Sequence, residues 1–428
     1  MKFKQSLGQN QRIERISTSH LVVGIDMAKE THVAQATNFR GIVLSNRHLS
    51  FHNTIEGFEK LYRWVQGLHQ KHGLNSIIIG MEPTGHYWWN LANWLTSKGM
   101  NIVLVNPATT KRNKENRDNC PSKSDPKDAL VIADVVSRGY YYEYTRQTHV
   151  YQRLRTMMSD REFWVAGSVR LQNRIIRWLD IRFPEYTSVF KDWTCKRSMA
   201  TLKELFTPQD LSSQSVTEII TTWRKHMQRA GGSTGMQKAA ELISEAKRSV
   251  GDVTALDEAK QDLKRLITEY EHMEEMLENM EKQIISILSE IPIATQLRSI
   301  KGLGPIFVAA ILAGAGDLKQ YAHGRQLLRK AGLNLAESTS GKRKGQIIVS
   351  KRGDSTLRKY LFLATIQLIG VNPVFRELHE HNLKVKQMKK QQSVFKLMGK
   401  VARILIGLVQ RGETFIPEKA SSVLIQVA

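Results

Sequence analysis

Two acids, Asp26 and Glu82, each follow an apolar run that is typical of a buried strand. Two others, Asp125 and Asp128, are three residues apart and therefore lie on one face of a helix. Singly such acids are usually surface charges, and Asp125 suits an N-cap, but four in one cleft would repel one another unless cations neutralised them. Carboxylate oxygens in this number favour Mg²⁺, held as two ions about 4 Å apart. The pattern therefore predicts a magnesium site for chemistry on a phosphate ester.

The order of the elements would bring these acids together. Three extended runs come first and helices then alternate with strands, which is typical of a ribonuclease H-like (RuvC-like) α/β fold. The first and fourth strands of that fold are neighbours, so Asp26 and Glu82 would lie at the same end of the sheet. We predict strands at 21–26, 31–37, 42–51, 76–81 and 101–105, helices at 54–73, 86–98 and 125–138, and a polar loop at 107–124.

Beyond residue 145 the strand patterns end and the chain reads as helical. Apolar heptads through about 255–291 predict a coiled coil. Because this segment is acidic, we interpret it as a contact between protomers and not as a surface for nucleic acid. The alternative is a long amphipathic helix packed on its own subunit. The predicted regions are a catalytic domain at 18–145, a helical linker region with the coiled coil at 146–292, and an α-helical domain at 293–428. The sequence assigns no role to the segment 191–251.

The charge of the chain restricts its partners. Lysine and arginine number 63 against 40 acidic residues, and the net charge of +23 favours nucleic acid over an anionic membrane surface as partner. The longest apolar run, 306–316, is too short to span a bilayer, and no apolar segment near the start resembles a secretory signal. Two cysteines cannot build a disulfide framework. We therefore expect a cytoplasmic protein that binds nucleic acid.

Basic residues concentrate in one long helix and in C-terminal loops. Arginines of the helix at 146–182 suit phosphate oxygens, whereas its tryptophans are interpreted as core. The glycine turn at 300–305 resembles a phosphate-binding helix-hairpin-helix turn, although ordinary packed helices use such turns as well. The candidate nucleic-acid-binding residues are Arg153, Arg170, Arg174, Arg177, Lys301, Gly302, Gly304, Lys342, Arg343, Lys351 and Arg352.

Short motifs lie along the chain outside about 191–251. They are GID at 24–26, GMEPTG at 80–85, KSDPKDA at 123–129, IKGLGP at 300–305, AGL at 331–333, SGK at 340–342 and SKRGD at 350–354. These motifs resemble those of the DEDD transposases of bacterial and archaeal insertion sequences. The resemblance implies a resolvase-like DEDD domain, a coiled coil, and a transposase domain with a nucleophilic serine. It also implies a structured non-coding RNA, the bridge RNA, whose loops pair with target and donor DNA.

The resemblance assigns roles to single residues. It makes Ser340 the nucleophile and gives the catalytic, metal-binding tetrad as Asp26, Glu82, Asp125 and Asp128. The family often has two adjacent serines, whereas here Thr339 separates Ser338 from Ser340, and Asn334 replaces a usual proline. Ser338 therefore stays the alternative nucleophile. Because no histidine is near in sequence, we expect the metal site of the same or another protomer to activate the serine.

These features predict an enzyme, a bridge-RNA-guided DNA recombinase that uses Mg²⁺ and breaks and rejoins DNA through a covalent phosphoserine. Its partners would be target and donor DNA, the guide RNA, and further copies of itself in dimers that assemble into a tetramer. One alternative is a metal-dependent nuclease similar to Holliday-junction resolvases, in which water attacks. Another is a non-catalytic scaffold for RNA or DNA, against which the intact tetrad argues.

Overall fold

A mixed sheet and a set of helices form two separate units, Met1–Arg146 and Gln147–Ala428. The computed structural model describes residues 7–45, 47–116, 120, 122, 124–144, 148–336 and 348–421. The second unit therefore contains both later regions of the predicted division.

The first unit is built on strands β1 (His20–Asp26), β2 (Thr31–Asn38), β3 (Leu49–His52), β4 (Ser76–Met81), β5 (Asn101–Val105) and β6 (Tyr141–Glu143). They form one sheet in the order β3-β2-β1-β4-β5-β6, in which β1, β4 and β5 run parallel. The helices are α1 (Leu7–Glu14), α2 (Ile55–Lys71), α3 (Trp88–Ser97), α4 (Pro107–Asn113) and α5 (Asp125–Ser137). This is the expected mixed α/β architecture; its assignment to the ribonuclease H-like fold stays a prediction.

Both faces of β1 are buried, which explains its unbroken apolar run. Leu21, Val23 and Ile25 pack in a core with residues of α2 and α3. Val22 packs in a second core with residues of α5. Alternate side chains of a strand point to opposite faces, so helices on both sides of the sheet bury all of them.

Two predictions in this unit were wrong in their boundaries. The strand predicted at 42–51 is shorter: β3 spans Leu49–His52, and Val43 forms an isolated bridge to Thr37. The loop predicted at 107–124 begins with helix α4, since the side chain of Asn106 accepts a hydrogen bond from the Ala108 N–H and caps the helix.

The second unit is helical apart from a short strand pair, β7 (Leu335–Ala336) and β8 (Ile348–Val349). A short 3₁₀ helix, Leu318–Gln320, precedes α15. The helices are α6 (His149–Arg182), α7 (Tyr186–Val189), α8 (Lys196–Glu204), α9 (Pro208–Ser212), α10 (Val216–Arg224), α11 (Gly232–Lys247), α12 (Leu256–Ser289), α13 (Pro292–Arg298), α14 (Pro305–Ala315), α15 (Gly324–Lys330), α16 (Ser355–Val371), α17 (Pro373–Lys384), α18 (Lys390–Arg411) and α19 (Pro417–Ser421).

The heptad helix α12 packs antiparallel against α6 of its own chain. The ion pairs Arg153–Glu290 and Arg174–Asp262, at 2.8 and 3.0 Å, join opposite ends of the two helices. Leu263 and other heptad residues are buried in cores of the same chain. The expectation that this seam joins protomers is therefore replaced by the alternative interpretation, a helix packed on its own subunit.

Two cores flank the pair of long helices. Helices α13 to α18 and the adjoining ends of α6 and α12 share one core. Helices α7 to α11, together with the opposite ends of α6 and α12, share the other. We call the segment from α7 to α11 the α7–α11 subdomain.

In the described ranges, no single helix is long and apolar enough to cross a bilayer. Helices α16 and α17 meet that criterion only as a pair bent by 96°.

Candidate active site

The register of the sheet brings Asp26 and Glu82 to one end of neighbouring strands. In the parallel pair of β1 and β4, Ile25 stands opposite Met81. Asp26 ends β1 and Glu82 directly follows β4, so both carboxylates emerge at the carboxyl edge of the sheet. The Thr84 hydroxyl donates a hydrogen bond to Glu82 Oε1 at 2.9 Å and restricts that side chain.

Helix α5 reaches this edge because two strand residues have no side chain. A Cβ at Gly24 would lie 2.0 Å from the carbonyl oxygen of Ala129 and 2.5 Å from the backbone nitrogen of Ala133. A Cβ at Gly80 would lie 2.5 Å from a methyl group of Val136. The backbone of α5 therefore rests directly on β1, and its first turn carries Asp125 and Asp128 to the carboxylates of the strands.

The pKa of Asp26 reflects this convergence. The pKa of Asp26 is raised from 3.8 to about 6, first by burial and then by the negative charges of Asp128, Asp125 and Glu82. Lys114 acts in the opposite sense. The four acids predicted from the sequence thus share one electrostatic environment.

Asp128 is the most buried of the four acids, and only one of its two carboxylate oxygens has a described partner. Its side chain is buried, and Oδ2 forms an ion pair with Lys114 Nζ at 2.6 Å. Oδ1 is buried and has no hydrogen-bond partner among the described atoms. An orphaned carboxylate oxygen beside other carboxylates is a position at which a cation would be stabilised. The role of Lys114 was missed from sequence, where it belonged only to a basic loop.

The donor set fits Mg²⁺ in chemistry. Within the part of the chain that the structure describes, no three acidic, histidine or cysteine side chains are close enough to hold one metal ion. The Lys114 ammonium group instead supplies positive charge to Asp128. Hard oxygen donors, an unpartnered carboxylate oxygen and mutual repulsion are properties that a divalent cation would satisfy.

The predicted nucleic-acid-binding arginines of α6 fall into two groups. Arg153 and Arg174 form the ion pairs with Glu290 and Asp262 described above, and Arg170 and Arg177 form the second group; all four are exposed. The tryptophan interpretation is confirmed for Trp178, which is buried and donates to the carbonyl oxygen of Ala259 at 2.9 Å. The pairing of two arginines could not be foreseen, because the sequence did not identify α12 as the neighbour of α6.

The glycine turn before α14 is explained by packing. Gly302 has a φ of 99°, and a Cβ there would lie 2.4 Å from a methyl group of Val371. The Lys301 carbonyl accepts a hydrogen bond from the Asn372 side chain. Gly304 is the N-cap residue of α14. These contacts are those of an ordinary helix junction, and phosphate binding at the turn stays a prediction.

The remaining candidate catalytic and nucleic-acid-binding residues belong to the part of the sequence around Ser340. Lys351 and Arg352 are exposed in a turn that follows β8, and Lys351 has a φ of 55°, a left-handed backbone that is unusual for a non-glycine residue. Ser350 fixes this turn by donating to the Asn334 side chain at 2.6 Å. The predicted nucleophile Ser340, its alternative Ser338, Lys342 and Arg343 lie outside the described residues.

Comparisons with known proteins match both units. Residues 23–184 match a family model for the DEDD transposase of IS110, described as "Transposase", and residues 294–380 match the model "Transposase IS116/IS110/IS902 family". The two ranges together cover more than half of the chain. The first contains all four acids of the candidate site.

Individual relatives agree with these models. The "Insertion element IS116 uncharacterized 44.8 kDa protein" of Streptomyces clavuligerus is 26% identical over 84% of this chain and 87% of its own length. The "Pilin gene-inverting protein" of Moraxella lacunata and the "Transposase for insertion sequence element IS1328" of Yersinia enterocolitica are each 30% identical, over 34% and 30% of their lengths and 27% and 23% of this chain. The chain thus belongs to the IS110/IS116 family of insertion-sequence transposases.

Proposed function

We propose that this transposase breaks and rejoins DNA at a magnesium-dependent site formed by Asp26, Glu82, Asp125 and Asp128, with Ser340 as the nucleophile and a bridge RNA as the guide. The observation that carries the proposal is the convergence of the four carboxylates, whose charges, together with burial as the larger cause, raise the pKa of Asp26 to about 6. A bound cation would relieve the repulsion among these carboxylates.

The residues around the carboxylates have distinct tasks. Bound Mg²⁺ would supply polarisation of the scissile phosphate and stabilise the oxygens that attack and leave. Asp26 and Glu82 hold the strand side of the site, and the hydrogen bond from Thr84 restricts Glu82. Lys114 would offset the charge of Asp128 with its ammonium group when Mg²⁺ is absent.

The proposed serine step conserves every atom. The Ser340 hydroxyl oxygen forms a bond to the phosphorus of one DNA strand, and the bond from that phosphorus to a deoxyribose oxygen breaks. The serine proton leaves, and the released deoxyribose oxygen takes up a proton, so strand and protein are joined through a phosphoserine. Attack by a hydroxyl end of another strand reverses the step and rejoins DNA. Rejoining needs no external energy source because the phosphodiester is retained.

The guide RNA rests on the resemblance and on charge. A net charge of +23 favours a large polyanion, and the motifs resemble those of transposases that use a bridge RNA. The pilin gene-inverting relative supports recombination between DNA sites as the outcome, because its name describes the inversion of a DNA segment. We therefore assign selection of target and donor DNA to base pairing by the RNA.

A covalent adduct distinguishes this mechanism from a nuclease in which water attacks. The protein is incubated with Mg²⁺, the RNA encoded beside the element, and end-labelled donor and target DNA, then analysed by denaturing electrophoresis. We expect labelled DNA attached to protein, abolished in Ser340→Ala and retained in the matched control Ser338→Ala. Cleaved DNA without any adduct would support the nuclease. Loss of the adduct in Ser338→Ala alone would move the nucleophile to that residue.

A further inference from the structure

The α7–α11 subdomain lies between the ranges matched by the two family models, 23–184 and 294–380, so neither model assigns it a role. It is well packed. Trp223 is fully buried in its core and donates a hydrogen bond to the Thr201 hydroxyl at 2.8 Å. A core of this kind holds the surface residues of the subdomain in fixed positions.

One corner of this subdomain collects positive charge. We define the basic corner as Arg197 of α8, Arg224 at the end of α10, and Lys225 and Arg229 in the turn that leads to α11. The Arg197 guanidinium donates to the carbonyl oxygens of Arg229 and Ala230, each at 3.4 Å. These bonds tie α8 to the turn and place Arg197 beside the segment that carries Lys225 and Arg229.

The nearby carboxylates form hydrogen bonds or ion pairs with residues other than these four. Glu204 pairs with His226 at 3.0 Å, and Asp192 accepts hydrogen bonds from Thr194 within its own turn. Glu218 caps the opposite end of α10. Across the described ranges, no carboxylate lies within ion-pair distance of Arg197, Arg224, Lys225 or Arg229. The charge of the basic corner is therefore left for an external anion.

We propose that the basic corner binds the phosphate backbone of duplex DNA. Three of its four side chains are exposed, and guanidinium groups match phosphate oxygens in geometry. The aromatic ring beside Arg197 is that of Trp223, 5.9 Å from the guanidinium carbon, and it is buried and cannot stack on an unpaired base. Contacts to phosphates without base stacking suit a duplex backbone better than a single strand. The proposal rests on DNA as the substrate of the proposed function, and not on its metal, serine or guide RNA.

The test measures binding of the full chain to a duplex of mixed sequence, in chelator, across a range of salt concentrations. The variant Arg224→Gln/Arg229→Gln removes two charges from the basic corner. The control Lys247→Gln/Arg248→Gln removes two exposed charges at the other end of α11, about 20 Å away at 1.5 Å per residue. We expect the slope of log affinity against log salt to become less negative by about 1.8 in the first variant, because each lost phosphate contact changes it by about 0.9. The slope should stay unchanged in the control.

Three outcomes would overturn the proposal. Equal flattening in both variants would show an effect of net charge alone, and no flattening in either would show that the corner is not in contact with DNA. A larger effect on an RNA hairpin than on the duplex would make RNA the partner. Thermal unfolding checks that the variants fold, and Arg224→Lys, which keeps the charge, should keep the wild-type slope even if the double variant is unstable. Because chelator removes metal, failure of the proposed catalysis would leave this result unchanged.

Discussion

At the scale of single residues, the raised pKa of Asp26 makes the stability of the folded protein depend on pH. Its pKa lies near 6 in the folded protein instead of 3.8, so the folded state binds this proton more tightly than the unfolded chain does. The resulting stabilisation is fully present below pH 3.8 and is lost as the pH rises through about 6. Above that pH the site stores repulsion among ionised carboxylates, which a divalent cation would relieve.

We therefore predict that Asp26→Asn stabilises the metal-free protein near neutral pH. The Asp26 side chain is partly exposed, so screening reduces the gain to about 1 kcal/mol, equivalent to a Tm rise of about 2–4 °C. Differential scanning calorimetry in chelator measures it, and the difference from wild type should vanish below about pH 4. Added Mg²⁺ should raise the Tm of the wild type more than that of the variant. A lower Tm for Asp26→Asn at neutral pH would contradict the raised pKa of Asp26.

Lys114 forms the ion pair with Asp128 that the proposed Mg²⁺ would have to displace. We predict that Lys114→Gln lowers the Mg²⁺ concentration needed for half-maximal cleavage several-fold, measured well above pH 6, where Asp26 is ionised. The control is Lys111→Gln, an exposed lysine of α4, the helix that ends just before Lys114. A higher Mg²⁺ requirement in Lys114→Gln alone would mean that this lysine supports metal binding instead of competing with it.

At the scale of elements, the site depends on direct contact between α5 and β1. We predict that Gly24→Ala costs at least about 3 kcal/mol of unfolding free energy, since its Cβ would lie 2.0 Å from the carbonyl oxygen of Ala129 and the helix must move. The control is Gly67→Ala in the exposed part of α2, where a Cβ has no neighbour within 4 Å; it should stabilise by about 0.5–1 kcal/mol. Chemical denaturation measures both. A Gly24→Ala protein as stable as wild type would show that α5 tolerates displacement.

The sequence predicted the helices and strands better than it predicted which of them pack together. The runs that became β1, β4 and β5 are apolar throughout because both faces of the sheet are covered, and that pattern is visible without a structure. The heptads of α12 predicted a buried stripe but not which helix covers it, because periodicity describes one surface only. The four acids could be predicted from strand ends and helix spacing. Lys114 could not, since its distance of 14 residues from Asp128 carries no geometric signal.

At the scale of the whole molecule, the tetrad and Ser340 belong to different units. Nothing in the chain requires both to act within one subunit. We predict that a mixture of Glu82→Ala and Ser340→Ala proteins, each inactive alone, recovers part of the recombination activity because some shared sites receive both intact groups. Recombination of a reporter DNA measures the recovery. No recovery, with mixed oligomers shown by differently tagged chains, would place both groups in the same subunit.

The most direct test of the carboxylate site is DNA cleavage by four single variants, Asp26→Asn, Glu82→Gln, Asp125→Asn and Asp128→Asn. Glu115→Gln, an exposed carboxylate next to Lys114, is the matched control. Each of the four should lose more than about 100-fold in cleavage rate, since even residues that only support metal ligands cost about 10–100-fold. Affinity for DNA in chelator should be unchanged in all five proteins. Wild-type cleavage by Asp128→Asn, the variant at the most buried of the four acids, would contradict a single shared metal site.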